Sequence, residues 1–203
     1  MDHIFIPGDK LKKPLLLLHG TGGDENSLVD IGKLIANDAP ILSLCGDVSE
    51  NGANRFFKRF SDGRLDLLDL AIRTKKLLQT TYELAETYEI DFQDLVVVGY
   101  SNGANIAANA ILQEEDGFQN AILLHAMPAN NKPQDFSLEK RHVFLTAGVN
   151  DPLVPFSSTK ALVDLFQDRA AEVQTVFTEA GHNLTREEIE DAKLWYENLG
   201  VEA

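Results

Sequence analysis

The pentapeptide Gly99-Tyr100-Ser101-Asn102-Gly103 carries the strongest chemical signal in the chain. It has the G-x-S-x-G spacing of a nucleophile elbow, where a tight strand-to-helix turn lifts a serine hydroxyl clear of the sheet. The flanking residues supply that context: Leu95-Val96-Val97-Val98 reads as a buried strand just before it, and 102–112 as a buried helix just after. Glycine at 99 and 103 suits a turn whose neighbouring backbone passes too close for a Cβ. A chance match in a loop is the plain alternative.

A serine hydroxyl needs a base to take its proton and an acid to orient that base. Behind an elbow of this kind the chain order is Ser, then Asp or Glu, then His. Of the five histidines, His3, His19, His125, His142 and His182, only the last two lie late enough. His142 opens the strand expected at 143–147, the wrong end for a site at the carboxyl edge of a parallel sheet. His182 lies in Ala180-Gly181-His182-Asn183, between the last strand and the last helix, so it is the candidate base. Asp151, in the loop Gly148-Val149-Asn150-Asp151-Pro152 after the penultimate strand, is the candidate acid. The alternatives are a solvated loop histidine and an ordinary turn aspartate before proline.

Acyl transfer also needs two N–H groups aimed at the oxyanion. The residue after the nucleophile, Asn102, offers one; the loop His19-Gly20-Thr21-Gly22-Gly23-Asp24-Glu25 offers the other, at Thr21. A glycine-rich loop could instead cradle phosphate, but this one lacks the Walker lysine and the dinucleotide spacing, and Asp24-Glu25 would repel an anion.

These residues need an alternating α/β framework to hold them. Short apolar runs read as strands at 4–6, 15–19, 40–44, 95–99, 121–125, 143–147 and 173–178, separated by helical patterns, which implies a mostly parallel sheet with helices on both faces. The helix expected at 65–88 puts Leu68, Ala71, Ile72, Leu78, Tyr82 and Ala85 on one face, with Lys75 the misfit. Thr185-Arg186-Glu187-Glu188 is a capping box opening the last helix. The segment 126–141 is too short for a large cap, so the site should be open and partly shaped by an irregular stretch at 46–63.

Composition narrows the partners. The chain has 203 residues, 44% hydrophobic and 25% charged, with a net charge of −14. One domain over 1–203 is the simplest organisation, with no repeat or linker. The charge disfavours nucleic acid and anionic lipid, and the longest aliphatic run, 15–18, falls far short of the roughly 20 residues of a membrane span. Cys45 is the single cysteine, which fits a reducing compartment and a cytoplasmic location; it reads as a small buried hydrophobe, with a redox-sensing role as the alternative. No signal peptide is visible.

The motifs His19-Gly-Thr-Gly-Gly-Asp, Gly99-Tyr-Ser-Asn-Gly, Gly148-Val-Asn-Asp151-Pro-Leu-Val-Pro and Ala180-Gly-His182, in that order, resemble the phospholipase/carboxylesterase family of α/β-hydrolases over essentially the whole chain. The resemblance implies an α/β-hydrolase fold and a serine esterase carried by Ser101, Asp151 and His182, with Thr21 and Asn102 at the oxyanion positions. Thioesterase members usually carry Gln after the serine; Asn102 leans toward the bacterial carboxylesterases. The expected substrate is a small ester or thioester, preferably with a short to medium acyl or aryl group. No metal or organic cofactor is implied, and a homodimer is allowed. The rivals are a thioesterase or lysophospholipase acting on longer chains, and a non-catalytic binding protein. For substrate binding, Arg55 is read as meeting a substrate anion and Phe56 and Phe57 as lining an acyl pocket, against the alternative that these aromatics pin the loop to the core. His125, Met127 and Pro128 form a second candidate wall, with a simply structural His125 as the alternative.

Overall fold

The computed structural model describes residues 1–200. Seven strands form one sheet in the order β1-β3-β2-β6-β7-β8-β9. They are β1 (His3–Ile6), β2 (Leu15–Leu18), β3 (Ile41–Leu44), β6 (Val96–Tyr100), β7 (Asn120–Leu124), β8 (His142–Gly148) and β9 (Glu172–Thr178). Only β1 runs antiparallel, against β3. Between strands lie α1 (Val29–Ile35), α2 (Leu67–Thr87), α3 (Asn102–Gln113), α4 (Phe156–Gln167) and, after β9, α5 (Arg186–Asn198). A small antiparallel pair, β4 (Val48–Glu50) and β5 (Ala53–Arg55), stands apart.

The central strands are apolar on both faces because helices cover both. Leu16 and Leu18 of β2 join Val97 and Leu123 against α2, α3 and α4, while Leu15 and Leu17 join Val96, Val98 and Phe144 against α1 and α5. Helix α3 is buried from Asn102 to Leu112, so it has no polar face to show. Strand order reverses between β2 and β6, so the loops leaving their carboxyl ends diverge and open a crevice. Ser101 sits there.

Two expectations need correction. The core-facing side of α2 is Leu70, Thr74, Leu77, Leu78, Thr81 and Ala85. Leu68 and Ile72 are 74% and 59% exposed, and Ala71 and Tyr82 also face outward. Thr74 and Thr81 mislead an apolar count because their hydroxyls are satisfied inside, Thr74 accepting from Asn109 Nδ2 and Thr81 donating to the Leu77 carbonyl. The stretch 46–63 is also less irregular than expected: Asn51 and Gly52, both at positive φ, close the β4–β5 hairpin with a two-residue turn. Between β7 and β8 the described residues contain no helix or strand, so there is no large cap.

Candidate active site

Ser101 joins β6 to α3 with φ 50° and ψ −109°, a conformation costly for a residue with a side chain. It is held because both glycines are needed: a Cβ at Gly99 would lie 2.6 Å from Ala104 Cα, and one at Gly103 would collide with the Leu18 carbonyl. The turn thereby presents the hydroxyl at the sheet edge. Ser101 Oγ lies 3.0 Å from His182 Nε2, and His182 Nδ1 lies 2.6 Å from Asp151 Oδ2. With Nδ1–H donating to the carboxylate, Nε2 is left as the acceptor for the serine proton.

Each member is fixed from outside. Asp151 Oδ1 accepts from the Leu153 and Val154 N–H groups at 2.7 and 3.0 Å. Burial works to raise its carboxyl, but the bonds from His182 and from those N–H groups outweigh it and hold it below the usual range. The loop bearing His182 is tied down by Tyr100 Oη, donating to the His182 carbonyl at 2.6 Å, and by Asn150 Oδ1, accepting from Gly181 N–H at 2.8 Å.

On the other side of Ser101, neither the Thr21 nor the Asn102 N–H donates to any acceptor among the described residues. The Thr21 loop is built on His19, whose Nε2 accepts from Gly46 N–H at 2.9 Å while Nδ1–H donates to the Gly20 carbonyl. Burial pushes its pKa below 6.5, so this imidazole is neutral. Arg55 supports the same loop, donating from Nη1 to Thr21 Oγ1 at 2.8 Å.

The substrate-binding expectations for Arg55, Phe56 and Phe57 are therefore corrected. Phe56 and Phe57 are 0% exposed and belong to the core. The Phe56 N–H donates to Asn102 Oδ1, pinning the segment to the elbow. Arg55 is 5% exposed, its guanidinium shared among Thr21, the Phe57 carbonyl and Glu50. A guanidinium so engaged holds the loop rather than a ligand. Met127 remains partly exposed, its N–H fixed by Asn105 Oδ1. Next to Tyr100 and the Thr21 loop lies an open groove of about 360 Å³, lined by Thr21, Leu28, Ile31, Tyr100 and Leu184. A larger hollow of about 570 Å³, near Phe5 and Tyr88, lies at the amino end of the sheet, away from these residues.

His125 is not a pocket wall. It is fully buried at the end of β7, with φ 55°. Its Nδ1 lies 3.3 Å from Asp151 Oδ2 and its Nε2 2.9 Å from Glu188 Oε1. Glu188 is itself fully buried; its other oxygen accepts from Thr185 N–H and Oγ1, completing the capping box of α5. The capping box was visible in the sequence. The 63-residue reach from Glu188 to His125 carries no local signal.

A mostly parallel sheet with this strand order and a strained serine at the crevice defines an α/β-hydrolase-type fold. The chain belongs to the dienelactone hydrolase family, whose profile matches residues 65–197, and is an ester-hydrolysing enzyme of the carboxylesterase type. It is 40% identical to MhqD of Bacillus subtilis (strain 168), named as a hydrolase, over 99% of this chain and 100% of that protein. A Bacillus cereus carboxylesterase structure superposes with a TM-score of 0.94 at 40% identity, covering 98% of this chain and 94% of the other. The structure of YahD with malic acid gives 0.92 at 38% identity over 97% and 98%. The resemblance to carboxylesterases is thus borne out.

Proposed function

We propose that the chain is a serine carboxylesterase working through Ser101, His182 and Asp151, with Thr21 and Asn102 as oxyanion donors. The observation that carries this reading is the unbroken hydrogen-bonded line from Ser101 Oγ through His182 to Asp151. His182 Nε2 takes the hydroxyl proton as Oγ attacks the ester carbonyl, forming a tetrahedral intermediate whose oxyanion faces the two free N–H groups. The intermediate collapses to an acyl-enzyme as His182 returns its proton to the leaving alcohol. Water, deprotonated by the same nitrogen, then releases the acid.

The substrate is a small ester or thioester with a short to medium acyl or aryl group. The open groove and the missing cap support this, since each further CH₂ gains its ~0.8 kcal/mol only if buried. Met127 is the remaining candidate for substrate contact. All the groups used come from one chain, so a homodimer would leave the chemistry unchanged. We read residues 1–203 as one domain, because one sheet draws strands from both ends of the chain; residues 201–203 lie outside the described residues. The lone cysteine supports a cytoplasmic location, and among the described residues no helix is long and apolar enough to cross a membrane.

The test is Ser101→Ala with a p-nitrophenyl ester series. Turnover should fall by on the order of 10⁴–10⁶, and a fluorophosphonate should label the wild type once and the variant not at all. Wild-type turnover in the variant would remove Ser101 as nucleophile. A kcat/KM that climbs steadily to the longest chains would replace the short-chain reading with a thioesterase or lysophospholipase.

A further inference from the structure

We propose that His125 and Glu188 are positioning residues for this reaction: a buried ion pair behind Asp151 that fixes the direction of its carboxylate and, through it, the ring of His182. The inference rests on the triad reading above.

With Asp151 and Glu188 both held ionised, geometry sets the charge state of His125. Both ring nitrogens of His125 face carboxylate oxygens, at 3.3 Å to Asp151 and 2.9 Å to Glu188. A neutral imidazole would set a lone pair against one of them, in a place no water reaches. With both nitrogens protonated each faces an acceptor. Burial opposes the cation, but Glu188 and then Asp151 outweigh it and raise the His125 pKa. Glu188 is held below the usual carboxylate range, against its own burial, by His125 and Thr185.

The consequence reaches His182 through a shared atom. Asp151 Oδ2 accepts from both His182 Nδ1 and His125 Nδ1, so it cannot swing away from either without losing a charged bond. The His125 and His182 rings lie 5.3 Å apart, edge to face. The groups around His182 are Ser101 and Tyr100 from the β6 end, His125 from the β7 end and Asp151 from the β8 loop, with Glu188 of α5 behind His125. Tyr100 stays neutral, its phenol pushed up by burial and by the charges of Asp151 and Glu188.

The strained turn at His125 fits this role, since a positive φ persists only where surroundings hold it. Glu188 also caps the helix that follows the His182 loop. One carboxylate thus anchors the loop's exit and the ion pair together.

Two measurements test the proposal. Long-range ¹⁵N–¹H correlation on the wild-type protein near neutral pH should show one histidine with both nitrogens protonated, absent from the spectrum of His125→Gln/Glu188→Gln. A neutral single tautomer for His125 would overturn the proposal, and this needs no variant to be active. The double variant removes one charge of each sign and keeps amide partners for Asp151 and Thr185. Its kcat should fall roughly tenfold with KM little changed, and the downfield Nδ1–H resonance of His182, which reports the bond to Asp151, should shift or broaden. A purely structural role would lower the melting temperature and leave that resonance in place, and that result would also overturn the proposal. Ser101→Ala run alongside separates the outcomes: if it stays inactive while the double variant keeps its kcat and the His182 resonance is unmoved, the triad stands and the ion-pair role falls.

Discussion

Each side of Ser101 rests on a buried histidine, and the two are in opposite charge states. On the oxyanion side His19 lies between a backbone N–H and a backbone carbonyl. On the base side His125 lies between two carboxylates. Burial pulls both toward the neutral form; His19 follows it and His125 does not. The partners decide: peptide groups match one tautomer of a neutral ring, whereas two anions demand two protons. The oxyanion side therefore works as a rigid shape held by neutral hydrogen bonds and core aromatics. On the proposed base side, Asp151, His125 and Glu188 form a chain of alternating charges.

The largest contrast between the sides should come from two glycines. Gly103→Ala drives a methyl into the Leu18 carbonyl, at the junction of β2, β6 and α3. No flexible group is there to yield, so the fold should suffer, by several kcal/mol on the overpacking scale. Gly148→Ala drives its methyl into the Gly181 carbonyl instead, in the loop that carries His182. That loop is tied by individual hydrogen bonds rather than packed between sheet and helix, so the protein should stay folded and lose on the order of 10² in kcat, the cost of roughly 1 Å of misplacement. Thermal melting and single-turnover acylation distinguish them. Equal loss of melting temperature in the two variants would erase the contrast between a junction packed into the sheet and a loop tied by hydrogen bonds.

Arg55 gives the intermediate effect. It touches Thr21 through one bond, so Arg55→Ala should loosen the oxyanion loop and lower kcat about tenfold with little change in KM. Thr21→Val, which removes only the accepting hydroxyl, should reproduce part of the loss. A rise in KM alone, with kcat intact, would mean the guanidinium meets substrate after all.

What could be read from the sequence divides along a similar line. Ser101, Asp151 and His182 were legible because each sits in a short motif at the end of a strand, and parallel order fixes which ends meet. The covered, capless sheet was legible from runs such as Leu15–Leu18, where every residue is buried. The burial of Phe56 and Phe57 was not, because it depends on a bond from Phe56 N–H to Asn102 Oδ1, 46 residues away. The exposed stripe of Leu68 and Ile72 was misplaced because Thr74 and Thr81 face the core as satisfied polar groups. The hairpin was missed although Asn51-Gly52 signals it. His125 had no local pattern at all; only the fold brings Asp151 and Glu188 to its two nitrogens.

The smallest effect expected is also the most direct reading of the two histidines. Because the folded-state pKa of His19 lies below its unfolded value of 6.5, the unfolded chain takes up that proton first. Its contribution to stability is complete above about pH 6.5 and drains as pH falls through the lowered value. The folded-state pKa of His125 lies above 6.5, so its contribution is complete below that value and is lost as pH rises through the raised one. Asp151 and Glu188, lowered from 3.8 and 4.5, weaken the fold only further down, as pH falls through their depressed values. Between about pH 5 and 6.5, then, the carboxylates are settled and the His19 linkage slopes stability upward with pH. In a chain of this size each kcal/mol is worth roughly 2–4 °C of melting temperature. His19→Gln should melt lower throughout yet show a flatter slope across that interval. The double variant at 125 and 188 should keep the slope there and lose the decline on the alkaline side. If His19→Gln keeps the wild-type slope, the neutral assignment of His19 fails, and with it the opposition between the two sides.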